Sequence, residues 1–476
     1  MTRLSEVQLT KHSLARNTFL LSLGAFMNKG INFIMVPLFS SWLSTSDYGT
    51  FDLLCTYATL LVPFISLASS EALFRFGVEG GEAGRRAKYI TTSLVIDCVG
   101  FILASAAIVF LVLACDWKYG ICLIPLLLGE LGMNHFQGVL RALKKLDVYS
   151  ACNVVSTLMT ALATTVFVLV LGMGLQGIAF GYALGNILGC IAIVIATKYW
   201  RYVSIESFSL EALREIVTYS LPLIPNNVSW WVINVSDRTL IGMFMGAAAN
   251  GIYAIACKIP NFCSSVFGVF SLSWQETASD LVDSAERNRY FNYVFNTTIV
   301  TMLTLCAGVL SLNFPLFYWL FDARYREAFL YTPILVSSVA VNSLALYFGG
   351  IQISLKQPKE NGITTIWGAV INVTINFLLI PFMGIWAAAI STLAANVVIA
   401  FLRWRKLKNS IHFSLELKAV IALTFYTYFF LMSYWCKDWV LFLVNLAFAF
   451  CFFCWGNSSF VKRLLAVLNK FKRGNN

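Results

Sequence analysis

The stretch Thr92-Ser93-Leu94-Val95-Ile96-Asp97-Cys98-Val99-Gly100-Phe101-Ile102-Leu103-Ala104-Ser105-Ala106-Ala107-Ile108-Val109-Phe110-Leu111-Val112-Leu113 carries one charge, Asp97, in an otherwise uncharged and mostly apolar run. A helix needs about 20 apolar residues to cross the hydrocarbon of a bilayer, and this run supplies them. Similar runs recur from Ala15 to Trp455, separated by short polar loops. A chain built this way is dissolved in lipid, where each span must satisfy its own backbone hydrogen bonds and is therefore helical. The reading is an all-α integral membrane protein with about fourteen transmembrane helices. The spans are 17–42, 50–74, 89–114, 119–140, 151–172, 174–199, 217–243, 249–275, 291–313, 328–354, 362–382, 384–404, 415–435 and 438–456.

Composition excludes a soluble catalyst. The chain is 59% hydrophobic and 12% charged, with a mean hydropathy of +0.75, which leaves no segment for a water-facing domain. Its net charge of +11 comes mainly from the N-terminal segment, the C-terminal tail and alternate loops, as in Arg85-Arg86-Lys88, Arg141-Lys144-Lys145, Arg403-Arg405-Lys406-Lys408 and Lys462-Arg463. Lys118, Arg324, Arg326 and Lys437 fall on the opposite side. Basic residues are retained on the cytoplasmic face, so both termini are expected there and the charge is not a nucleic-acid patch. The polar segment Met1 to Asn17 lacks the short apolar core of a cleaved leader and is expected to be retained. The twelve cysteines fit neither a zinc site nor a disulfide framework, with a Cys115–Cys122 bridge the one candidate pairing.

The chain also repeats. Gly174-Leu175-Gln176-Gly177-Ile178-Ala179 overlies Gly384-Ile385-Trp386-Ala387-Ala388-Ala389, and that register sets Asn186 on Asn396. Asp47-Tyr48-Gly49 matches Ala249-Asn250-Gly251; Ser66 and Glu71 match Ser271 and Glu276. Two six-span blocks in the same orientation are the parallel-repeat design of alternating-access transporters, whose site lies between the halves. The expected division is 1–200 and 201–410 for the two six-helix lobes, with 411–476 holding two extra spans and a basic tail. The small residues Gly177, Gly181, Gly185 and Gly189 form a packing ridge in the sixth span.

Ionisable groups inside spans are functional candidates. Asn28, Lys29 and Asn32 share a face of the first span; Asn227, Trp230, Trp231, Asn234 and either Asp237 or Arg238 share one on the seventh; the eighth carries Lys258, with Pro260 able to bend it. Setting Gly49 over Gly251 places Asn32 on Asn234. The substrate-binding candidates are therefore Lys29, Asn32, Trp230, Trp231, Asn234, Arg238 and Lys258. Asp97, Glu130, Asp237, Glu71 and Glu276 are the coupling or gating candidates, with a hydrogen-bonded seam the alternative for the polar face Glu130, Asn134, Gln137 and Arg141.

Asn28-Lys29-Gly30, Val36-Pro37-Leu38-Phe39, Asp47-Tyr48-Gly49-Thr50-Phe51, Ser220-Leu221-Pro222-Leu223-Ile224-Pro225, Ser236-Asp237-Arg238 and Tyr325-Arg326-Glu327-Ala328 resemble, in order and spacing, the Wzx-type flippases of bacterial polysaccharide biosynthesis. That resemblance covers roughly Asn17 to Arg405. It implies a V-shaped, two-lobed transporter of the inner membrane, related to the lipid II flippase and to cation-coupled multidrug exporters. The implied cargo is an undecaprenyl-diphosphate-linked oligosaccharide for O-antigen or capsule, moved from the cytoplasmic to the outer leaflet. No cofactor is expected; a proton or sodium gradient is the expected energy source where one is used. Glycan polymerase and chain-length regulator proteins are the candidate partners. A lipid II flippase or a multidrug exporter is the alternative. A polytopic polymerase is the remote one, because the outer loops are short and the three histidines stand at no metal-ligand spacing.

Overall fold

A computed structural model describes residue 24 and residues 27–79, 83–281, 286–458 and 462. Among the described residues every regular element is helical. Among the described residues ten helices are long and apolar enough to cross a membrane; the described part of α1, and α5, α9 and α10–α11 below, fall in the remaining expected spans. The chain forms two compact units, 1–251 and 252–476.

In the first unit, α1 (27–42) leads into α2 (Thr45–Ile65), which starts where Ser44 Oγ accepts the Asp47 N–H at 3.0 Å and donates to Asp47 Oδ2 at 2.7 Å. That cap satisfies one of the backbone donors left open at a helix start. The single span expected over 50–74 is divided. Ser66 Oγ donates to Val62 O and the Ala68 N–H reaches back to Pro63 O, so the last carbonyls of α2 are consumed. Leu67 and Ala68 then take φ of 51°, and α3 (Ser69–Glu79) begins in a new direction. Two adjacent non-glycine residues with left-handed backbone are a strained turn.

Helices α4 (Ala83–Cys115), α5 (Leu123–Ala142), α6 (Leu146–Thr165) and α7 (Gly174–Thr197) follow. The ridge on α7 packs as expected: a Cβ on Gly181 would stand 2.5 Å from the Thr164 backbone and one on Gly185 2.4 Å from that of Thr160, both on α6. The span expected over 217–243 also divides. Amphipathic α8 (Leu210–Ser220) ends where Pro222 removes a backbone donor, and α9 (Ile224–Met245) restarts behind a 3-10 turn with Pro225 in its first turn.

α10 (Ala247–Ala256) crosses the boundary between units and is separated from α11 (Lys258–Leu281) at Cys257. Pro260 cannot donate to the Ala256 carbonyl, four residues back, which instead accepts from Thr332 Oγ1 at 3.4 Å. The second unit continues with α12 (Arg287–Ser311), the turn α13 (Asn313–Pro315), α14 (Ala328–Ser354), α15 (Pro358–Met383), α16 (Ile385–Leu407), α17 (Leu417–Trp435) and α18 (Trp439–Gly456). Its core includes an aromatic cluster of Trp274, Phe291, Phe295, Tyr347 and Phe348.

Helix partners recur within the two units: α6 lies on α7 as α15 on α16, α5 on α7 as α14 on α16, and α3 on α5 as α11 on α14. Asn186 bonds Ser156 and Asn396 bonds Ser338. Cys115 and Cys122 are free thiols, so the candidate bridge is absent. Arg403, read from sequence as a loop cation, is buried. Its guanidinium donates to Thr364 Oγ1, Thr365 Oγ1 and the carbonyls of Ala345 and Asn361.

Candidate functional site

Three polar assemblies stand within the membrane-spanning part of the first unit. The first joins α2, α9 and α10. Gly49 and Gly251 meet in backbone contact, for a Cβ on Gly49 would lie 1.7 Å from Ala247 O and one on Gly251 2.1 Å from Thr45 O. This close approach places Asn250 Nδ2 3.0 Å from Gly49 O and 3.3 Å from Asp52 Oδ2. Arg238 Nη1 donates to the other carboxylate oxygen, Oδ1, at 3.0 Å. The Trp231 indole N–H donates to Thr56 O at 3.1 Å, one turn further along α2. Asp237, next to Arg238, is buried.

The second assembly is a cavity of about 350 Å³. Its polar wall includes Thr59 on α2, Ser66 in the turn after it, Ser70 and Glu71 on α3, Glu130, Asn134 and Gln137 on α5, and Asn227 on α9, with Val62, Pro63, Ala68 and Met133 as its apolar part. α5 presents Glu130, Asn134 and Gln137 because they repeat at helical spacing. Glu130 Oε1 accepts the Tyr182 hydroxyl of α7 at 2.9 Å, and Glu71 Oε1 pairs with Arg141 Nη2 at 3.0 Å. Gln137 Nε2 donates to Asn153 Oδ1. A membrane-embedded cavity bounded by amides, hydroxyls and two carboxylates can hold water, a cation or a hydroxyl-rich solute.

The third assembly is fully buried. His135 Nδ1 lies 2.7 Å from Asp97 Oδ2, and its Nε2 lies 2.9 Å from the Tyr199 hydroxyl. Ser69 Oγ donates to Asp97 Oδ1 at 3.3 Å, and Ser93 Oγ donates to Ser69 Oγ at 2.9 Å. Ser69 is the first residue of α3, so the network attaches directly to the strained turn at Leu67–Ala68.

The candidates from sequence are thus distributed. Arg238 and Trp231 share the first assembly, Glu71 and Glu130 the second, and Asp97 anchors the third. Lys29 and Asn32 are exposed on α1, and Lys258 is half-buried at the start of α11 in the second unit. The side chains of Trp230, Asn234 and Glu276 lie outside the described residues. Asp52 and His135 escaped the sequence reading. Each is an ionisable group within an apolar span, which is the signal that singled out Asp97, but their partners lie 186 and 38 residues away.

Comparison with known proteins places this fold. A family model described as polysaccharide biosynthesis protein matches residues 14–274. An uncharacterised membrane protein of Methanocaldococcus jannaschii is 23% identical over 431 residues, covering 83% of this chain and 99% of that one. The inward closed conformation of the lipid II flippase MurJ superposes with a TM-score of 0.67 at 14% identity, covering 94% of this chain and 100% of that one. An inward-facing multidrug resistance transporter of the MATE family gives 0.64 at 12% identity, covering 88% and 99%. A transporter of the same superfamily from Pyrococcus furiosus gives 0.56 at 13% identity, covering 88% and 96%. These likenesses establish a shared fold, that of a multi-pass helical membrane protein. With more than half of its length matched by the family model, the chain belongs to the polysaccharide biosynthesis protein family.

Proposed function

We propose that this protein is a flippase that moves an undecaprenyl-diphosphate-linked oligosaccharide from the cytoplasmic to the outer leaflet of the inner membrane, for O-antigen or capsule assembly. The observation that carries the reading is the polar cavity of the first unit, walled by membrane-spanning helices in a member of a polysaccharide biosynthesis family. Amides and hydroxyls such as Asn134, Gln137, Asn227 and Thr59 suit the hydroxyl groups of a glycan. Two six-helix repeats, 1–200 and 201–410, alternate access to the cargo while 411–476 supplies two further helices and a cytoplasmic tail. The recurring helix partners support that division. Lys29, Arg238 and Lys258 meet the diphosphate, and Asn32, Trp230, Trp231 and Asn234 the sugars. Asp97, Glu130, Asp237, Glu71 and Glu276 serve coupling to a proton or sodium gradient or gating. Polymerase and chain-length regulator proteins receive the exported unit.

One observation favours a second reading. The cavity in the first unit carries Glu71 and Glu130, and Arg238 already pairs with Asp52, which suits an exported organic cation. Mass spectrometry of lipid-linked glycans in the source bacterium, with and without the gene and resolved by leaflet, separates the two. Completed diphosphate-linked units trapped in the inner leaflet of the deletion strain support the flippase. Unchanged glycan lipids with raised sensitivity to cationic compounds support the exporter.

A further inference from the structure

The Ser69–Asp97–His135–Tyr199 network contains three ionisable groups and sits outside the cavity, yet one of its members begins the helix that walls it. His135 and Asp97 are 2% and 5% exposed, so the network exchanges with solvent only through a change in its surroundings. With Asp97 ionised, an imidazole in this position has two forms. In the neutral ring, the Nδ1–H donates to the Asp97 carboxylate and Nε2 accepts from the Tyr199 hydroxyl. With a proton on Nε2, both ring nitrogens donate, and the Tyr199 oxygen must turn from donor to acceptor.

We propose that His135 is a proton-binding site whose occupancy sets the conformation of the Leu67–Ala68 turn, and through it the wall of the polar cavity. The geometry supplies the linkage. Protonation turns the neutral ring beside a carboxylate into an imidazolium–carboxylate pair, drawing Asp97 Oδ2 toward the ring and altering its hold on Ser69 through Oδ1. Ser69 follows a turn in which two residues hold φ of 51°. Such a turn has neighbouring backbone basins within a few kcal/mol and persists only while its surroundings over-determine it. On the other side of the same turn, Ser66, Ala68 and Ser70 line the cavity. A gain or loss of one proton at Nε2 therefore reaches the cavity surface through one carboxylate and one hydroxyl.

The titratable and charged groups on α4, α3, α7 and α8 and in the segment after α7 are Arg85, Arg86, Lys88, Tyr89, Asp97, Cys98 and Cys115 on α4, Glu71, Arg75 and Glu79 on α3, Tyr182 and Cys190 on α7, Lys198, Tyr199, Arg201, Tyr202 and Glu206 after it, and Glu211, Arg214, Glu215 and Tyr219 on α8. Asp97 and Tyr199 bond the ring, Tyr89 bonds Glu215, and Glu71 bonds Arg141. The proposal holds whatever the cargo is; resting on the flippase reading, it also gives a proton gradient a place to act.

The test needs no cargo. The chain has three histidines, so His12→Gln with His412→Gln leaves His135 as the sole imidazole. Nitrogen-15 NMR of that full-length protein in lipid nanodiscs, between about pH 5 and about pH 8, reads the proton on Nε2 directly. The expected result is a single titration of Nε2, accompanied by a change of about fivefold or more in the hydrogen-exchange protection of residues 62–70 over intrinsic exchange. His135→Gln keeps a donor for Asp97 but holds no exchangeable charge, and its protection is expected to be pH-independent. Should that variant fail to fold, Tyr199→Phe removes the bond that the proton inverts and is expected to displace the titration midpoint. A ring locked in one state, a titration that leaves residues 62–70 unchanged, a folded His135→Gln with wild-type pH dependence, or an undisplaced midpoint in Tyr199→Phe each overturns the proposal.

Discussion

Arg238 of α9 donates its Nη1 to Asp52 Oδ1 of α2 at 3.0 Å, with Asp52 side-chain exposure of 8% and Arg238 exposure of 19%. The pair is bracketed by Asn250, which bonds the second carboxylate oxygen. Removing either partner takes the opposite charge from a group held largely away from water. Asp52→Ala or Arg238→Ala is therefore expected to cost toward the lower end of the ~3–5 kcal/mol that breaking a buried pair costs, because Arg238 retains some solvent. The double variant is expected to lose less than the sum of the two. Thermal unfolding of the four proteins in one detergent measures that coupling; additive losses would show the two charges to be independent.

Gly49 and Gly251 are where α2 and α10 touch backbone to backbone. Neither site has room for a methyl group, since the obstructing atoms are carbonyl oxygens rather than movable side chains. Gly49→Ala and Gly251→Ala are each expected to destabilise by about 1–3 kcal/mol or more. Gly362→Ala on α15, where nothing lies within 4 Å of the added carbon, is the control. It is expected to be neutral or to stabilise by up to ~1 kcal/mol through helix propensity. Melting temperatures of the three variants decide the matter.

Glu130 faces the cavity and accepts the Tyr182 hydroxyl. Glu130→Gln keeps an acceptor for that hydroxyl while removing the charge, so folding is expected to be retained. If the carboxylate serves coupling, gradient-driven transport in proteoliposomes falls about tenfold, equivalent to ~1.4 kcal/mol. Tyr182→Phe removes only the hydrogen bond and is expected to have a smaller effect. Wild-type transport by Glu130→Gln would reduce the residue to packing.

Lys29 is exposed on α1, in a segment that the sequence reading places as the first span, where a cation is a functional candidate. Lys29→Ala is expected to impair transport without preventing membrane insertion, and Lys29→Arg, which keeps the charge, to be tolerated better. Leaflet-resolved assay of the cargo alongside membrane fractionation tests both statements. Equal, normal transport by the two variants would remove Lys29 from substrate contact.

Much of the helix inventory was legible before any coordinates. α14 occupies 328–354, as expected, and the ends of α15 to α18 lie within a few residues of expectation. Hydropathy suffices there because lipid demands a continuous apolar helix. It failed at the second and seventh spans, where the chain stays apolar through a break: Ser66–Ala68 and Pro222–Pro225 end helices by local backbone chemistry that a hydropathy window averages away. Pro260 did announce the interruption near Cys257.

By itself, the order of residues determined that this is a membrane protein, about how many times it spans, and that some ionisable groups, Lys29, Asp97, Glu130 and Arg238 among them, fall within its apolar runs. Those properties depend on composition over about 20 neighbouring residues, which a sequence displays directly. Only the tertiary structure decided which of those groups meet. Asp52 finds Arg238, Asp97 finds His135, and Arg403 finds neutral oxygens rather than a carboxylate. The physical reason is that a buried charge is satisfied by whatever polar atom another helix brings within about 3 Å, and neither the register nor the rotation of that helix is written in its own hydropathy.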